Sequence, residues 1–92
     1  MKIVKLNGRF RQFKDAGHTV ALRFDGWQKD VVAVEKVCRD RLGGGGWDNR
    51  GSWYGYYGAR NGRNTVRPYW ITFRNESDLT LVLLSVNLTQ NN

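Results

Sequence analysis

The chain has 92 residues, 40% of them apolar and 13% aromatic, which suits one small domain with a modest core and leaves too little chain for two. Fifteen Lys and Arg against eight Asp and Glu give a net charge of +7 and a pI near 10.1. That balance favours nucleic acid, nucleotides, acidic proteins or anionic lipid as partners, and disfavours cationic ones.

A lone cysteine, Cys38, rules out a disulfide within these residues and fits a reducing compartment. The N-terminal MKIVKLNGRF lacks the apolar stretch of a secretory leader, and no apolar run reaches membrane-spanning length. A cytoplasmic protein with no membrane partner is therefore expected.

Residues 1–25 are expected to form N-terminal strands. KIVKL at 2–6 alternates charged and apolar side chains, as a half-buried strand does. Asn7-Gly8 marks a turn, RFRQF at 9–13 alternates again as a second short strand, and Asp15-Ala16-Gly17 marks another turn. HTVALRF at 18–24 is a stronger strand, with Val20, Leu22 and Phe24 on one face. His18 is the only histidine and has no clustered partner for a ligand or catalytic role.

A helix is expected over 26–42. Asp25 and Gln28 have capping-box spacing, and Trp27, Val31, Val34, Cys38 and Leu42 form an apolar stripe. Gly43 suits the left-handed position that ends such a helix. Cys38 on that stripe reads as a core residue and not as a nucleophile.

Residues 43–52 are a glycine-rich loop that opens with four consecutive glycines, Gly43 to Gly46. A phosphate-cradling loop needs a strand before it, a helix after it and a lysine, and here a helix precedes and no lysine follows. The loop either carries Trp47 to a site or is a plain linker.

Residues 53–74 are expected to form a β-hairpin turning at Asn61-Gly62. That turn sets Tyr57 opposite Val66, Tyr54 opposite Tyr69 and Trp53 opposite Trp70. Tyr54, Tyr56, Arg60, Arg63, Arg67 and Tyr69 then share one face, and Trp53, Tyr57, Val66 and Trp70 share the other. In this register Ile71 and Phe73 fall on the Tyr/Arg face unless a bulge near Pro68 swaps the parity.

Asn75 can cap a last helix over 76–87, with Glu76 and Asp78 in its first turn and Leu79, Val82, Leu83 and Val86 on one side. Leu81, Leu84 and the β-branched Thr80, Val82 and Val86 keep a buried strand as its rival. Residues 87–92 read as a polar tail.

The expected fold is α+β: a small antiparallel sheet with two helices on one face. It is a split β-α-β-β-α, ferredoxin-like variant with an extra N-terminal strand. The other sheet face must be solvated, ligand-bound or paired with another copy.

Eight of the eleven glycines and seven of the twelve aromatics lie between Gly43 and Trp70. Five arginines and no acid lie between Arg50 and Arg74. Rings offer a stacking face and Arg a planar charged fork, so the expected binding residues are Trp47, Arg50, Tyr54, Tyr56, Arg60, Arg63, Arg67 and Tyr69. Trp53, Trp70 and Phe73 are the expected core aromatics. The strand pattern of RNA-recognition domains is absent, although WYGYYGAR shares its flavour. One His, one Cys and eight scattered carboxylates form no catalytic or metal-binding pattern, so neither an enzyme nor a cofactor is expected.

RFDGW at 23–27, WYGYYG at 53–58 and YWITFRNESD at 69–78 resemble segments of small accessory proteins of tailed phages, of the host-takeover or anti-defence type. The resemblance implies a non-enzymatic binder acting in the bacterial cytoplasm and carries over no functional residue. Two readings follow. The first is binding of a polyanion, nucleic acid or nucleotide, by the Arg/aromatic surface. The alternative is protein–protein inhibition of a host enzyme or defence system, anti-CRISPR or other, because Tyr, Trp and Arg also dominate interface hot spots. A homo-oligomer formed through the rings is a third.

Overall fold

Alternation in the strands and apolar stripes in the helices assemble a two-layer α+β fold, seen in a computed structural model that describes residues 2–6, 17–25, 29–43, 51–58 and 67–90. The elements are β1 (Lys2–Lys5), β2 (Val20–Phe24), α1 (Lys29–Leu42), β3 (Trp53–Tyr57), β4 (Tyr69–Phe73) and α2 (Glu76–Gln90). The strands form one antiparallel sheet in the order β1-β2-β4-β3. Since β2 and β3 are both antiparallel to β4, they run parallel to each other with β4 between them. This is the split β-α-β unit, and β1 completes the sheet beside β2.

One sheet face carries Val20, Leu22, Phe24, Trp53, Tyr69, Ile71 and Phe73. They form a single core with Val31, Val34 and Cys38 of α1 and Leu79, Val82 and Val86 of α2. Both helices therefore cover the same face, as expected. Gly17, with φ of 80°, turns the chain into β2, and Gly43, with φ of 86°, ends α1 by donating its N–H to Arg39 O at 3.1 Å. The main-chain oxygen of Asn75 accepts the first bonds of α2, from Asp78 N at 3.2 Å and Leu79 N at 3.4 Å. The last element is thus a helix. It continues past residue 87 to Gln90 in place of the expected polar tail, since neither Gly nor Pro interrupts the stretch.

The β3–β4 register departs from the one that an Asn61-Gly62 turn implies. Tyr57 pairs with Tyr69, Tyr56 with Trp70, Gly55 with Ile71, Tyr54 with Thr72 and Trp53 with Phe73. Relative to the expected register β4 is displaced by three residues, an odd number, so each of its side chains turns to the opposite face. The cause is the core: this register seats Ile71 and Phe73 under the helices beside Trp53, with no bulge among the described residues. Pro68 fits because it contributes only its carbonyl, which accepts from Gly58 N at 2.8 Å. The Asn61-Gly62 turn, Val66, Trp27 and the expected 9–13 strand lie outside the described residues.

Two glycines give side chains room to pack. A Cβ on Gly55 would lie 2.5 Å from Tyr69 Oη and 3.1 Å from Glu35 Oε1, so its absence leaves space for the Tyr69 hydroxyl to donate to Glu35. A Cβ on Gly58 would lie 2.7 Å from Trp70 Nε1 and 3.1 Å from both Trp70 Cδ1 and Pro68 Cγ, so the indole edge rests directly on that backbone.

Protons buried in this core make the fold sensitive to alkali. Burial, reinforced by the nearby Glu35 carboxylate, pushes the Cys38 thiol up from 9.0 to about 12. Burial and then the bond to Glu35 push the Tyr69 hydroxyl up as well. The folded protein holds these protons at pH values where the unfolded chain releases them. The corresponding stability is complete below the unfolded values and is lost as pH rises, from about 9 for Cys38 and about 10 for Tyr69, by roughly 1.4 kcal/mol per pH unit per group. Urea midpoints are expected to stay level from neutral pH to the onset of that loss and to fall beyond it, less steeply for Cys38→Ala. A midpoint that stays level beyond that onset contradicts the assignment.

Candidate functional site

The face turned away from the helices is built by the alternate positions of the same strands. Direct cross-strand partners share a face, and three pairings join Lys2 to Arg23, Arg23 to Trp70 and Trp70 to Tyr56. These four side chains form one row across all four strands, with cations on β1 and β2 and rings on β4 and β3. Lys2 is exposed and the other three are half-buried.

Contacts along the row are electrostatically coherent. The Arg23 guanidinium lies 5.8 Å from the centre of the Trp70 ring, within cation–π range. Tyr56 is parallel to Tyr54, with ring centroids 5.4 Å apart and planes 6° from each other. Burial, and then the neighbouring Tyr54, push the Tyr56 hydroxyl up to about 12. At neutral pH Tyr56 is therefore uncharged and neither repels an anion nor serves as a base. Arg23 also pairs with Asp25 at 3.9 Å, but the Asp25 side chain is 84% exposed, so the pair is weak and exchangeable.

The adjacent row, Val4–Ala21–Thr72–Tyr54, is closed at its centre, where Ala21 and Thr72 are each 0% exposed. His18 is buried against it, with Nδ1 2.7 Å from Thr72 Oγ1 and Nε2 3.1 Å from Gly51 O. A carbonyl can only accept, so Nε2 donates to Gly51 O, and the Thr72 hydroxyl that meets Nδ1 also lies 3.5 Å from Tyr54 O. His18 thus clamps the approach to β2 onto β4 and onto the segment leading into β3.

Of the residues expected to bind, Tyr54 and Tyr56 share this face as the alternation predicts. Tyr69 does not: the shifted register turns it under the helices, where it is 6% exposed and bonded to Glu35. Arg67 is exposed at the end of the sheet. Its Nε donates to Gly58 O at 3.0 Å, its Nη2 to Tyr57 O at 3.5 Å, and its guanidinium lies 5.4 Å from the Tyr57 ring centre. It secures the end of β3 and stands outside the row. Trp47, Arg50, Arg60 and Arg63 lie outside the described residues.

Trp70, expected in the core, joins the site instead, together with Arg23 and Lys2. The signal for Arg23 and Lys2 was in the alternation: each sits at the parity opposite its apolar neighbours, Leu22 and Phe24 in one case and Ile3 in the other. Among the described residues, no group of three His, Cys, Asp or Glu is placed to hold a metal ion, and no helix is long and apolar enough to cross a membrane. Comparison of the chain with protein-family models, curated proteins and solved structures gives no match.

Proposed function

We propose that this protein is a non-enzymatic binder of a polyanion, nucleic acid or nucleotide, held on the sheet face opposite the helices. The accessory role of small tailed-phage proteins suits such a binder. One observation carries the reading: Lys2, Arg23, Trp70 and Tyr56 stand in register on four adjacent strands. Cations supply attraction to phosphate, rings supply stacking surface, and the net charge of +7 supplies long-range steering.

Binding to a labelled oligonucleotide is therefore expected to weaken steeply with salt. Each phosphate contact contributes about 0.7–0.9 to the slope of log K against log salt, so replacing Lys2 and Arg23 together by Ala should flatten it by about 1.5. Lys2 is exposed and Arg23 is half-buried against Trp70, so the melting temperature of the double variant should fall by no more than about a few degrees. An unaltered slope and affinity in that double variant would refute the assignment.

A further inference from the structure

Building on that reading, we infer that the polyanion is a single-stranded nucleic acid of two or more nucleotides, its bases on the Trp70–Tyr56 half of the row and its phosphates on the Arg23–Lys2 half. Adjacent strands are about 4.8 Å apart, so the row extends for roughly 14 Å, rings at one end and cations at the other. A duplex keeps its base faces stacked inside and presents only base edges and phosphates, so it leaves the ring half unused. A mononucleotide engages one ring and one charge. Only a strand with exposed base faces and consecutive phosphates fills both halves.

The rings are set in place before any ligand arrives. The pyrrole edge of Trp70 lies over Gly58, where an added Cβ would come within 2.7 Å of Trp70 Nε1. Tyr56 is held parallel to Tyr54. Rings already ordered in the free protein lose little conformational freedom on binding. Arg23, 5.8 Å from the Trp70 ring centre, stands at the junction of the two halves, where the phosphate of a stacked nucleotide would exchange with Asp25.

The test measures binding of a short labelled oligothymidylate, in competition with a duplex of equal length, a mononucleotide and inorganic polyphosphate. The single strand is expected to bind at least 10-fold more tightly than any of the three. Trp70→Leu and Tyr56→Leu keep apolar bulk and remove the ring face. Each should weaken the single strand by roughly 10-fold or more without changing the salt slope, whereas Trp70→Phe should retain most of the affinity. Arg23→Ala should lower the slope by about 0.7. Near-ultraviolet circular dichroism confirms that each variant is folded, and Tyr56→Leu reads the ring half independently should Trp70→Leu not fold. Equal binding of duplex, polyphosphate and single strand, with both Leu variants at wild-type affinity, overturns the inference and leaves the polyanion reading standing. No binding to any of the four probes overturns both.

Discussion

Trp53→Ala is expected to destabilise the protein by about 3–5 kcal/mol, the usual cost of emptying a large aromatic site in a core. Trp53 begins the edge strand β3, is 1% exposed and faces the helices beside its cross-strand partner Phe73. Its indole Nε1 also donates to Gly43 O at 3.3 Å, which ties the edge strand to the end of α1. Packing and hydrogen bond separate in Trp53→Phe, which keeps most of the ring and loses the donor. Gly43 is exposed, so water can replace that donor, and the Phe variant should lose only about 1 kcal/mol. Urea denaturation of both variants measures the two contributions. A loss below 1 kcal/mol in Trp53→Ala would mean that β3 is not seated under α1 as described.

Gly55→Ala should cost about 2–3 kcal/mol, although the change adds a single methyl to a strand. In most strands the same exchange is mildly favourable, because glycine loses more backbone freedom on folding. Here the new Cβ would meet Tyr69 Oη at 2.5 Å, Glu35 Oε1 at 3.1 Å and Tyr69 Cζ at 3.3 Å. Tyr69 is wedged between β4 and α1 and Glu35 is also paired with Arg39 at 3.5 Å, so neither can withdraw without leaving a buried polar atom unbonded. Removing the hydroxyl relieves the closest contact. A double-mutant cycle of Gly55→Ala with Tyr69→Phe should accordingly show a favourable coupling of about 1 kcal/mol or more. Strict additivity would place the clash elsewhere.

Those two sites also show what a single sequence reveals of this fold. The strands at 2–6 and 18–24 were legible from their β-branched and apolar residues, although β1 is mostly exposed and β2 is buried on both faces except at Arg23, and α1 was legible because its apolar positions recur at helical spacing. α2 was harder. Leu81 and Leu84, outside the core and 42% and 57% exposed, blur the apolar stripe, and the Asn75 cap and two early acids identify the helix better than periodicity does. The hairpin was legible as a hairpin and its register was not. Turn chemistry at Asn61-Gly62 argues for one pairing, whereas burial of Trp53, Ile71 and Phe73 in one layer requires another.

The candidate site inherits that error. An offset of three residues exchanged Trp70 for Tyr69, since an odd slip inverts a whole strand. Tyr54 and Tyr56 kept their shared face because they lie on one strand, where parity is independent of register. Arg23 and Lys2 joined them through pairings that bring together residues far apart in sequence. A search for the densest stretch of Arg and Tyr overlooks such pairs.

The row Lys2–Arg23–Trp70–Tyr56 is the proposed binding surface. Its most direct test is amide and indole chemical-shift mapping of the folded protein titrated with a short single-stranded oligonucleotide. Shifts concentrated on β1, β2 around Arg23, β3 around Tyr56 and the Trp70 indole N–H, with α1 and α2 unmoved, are the predicted result. Shifts confined to the helices, or a spectrum that oligonucleotide leaves unchanged, would contradict it.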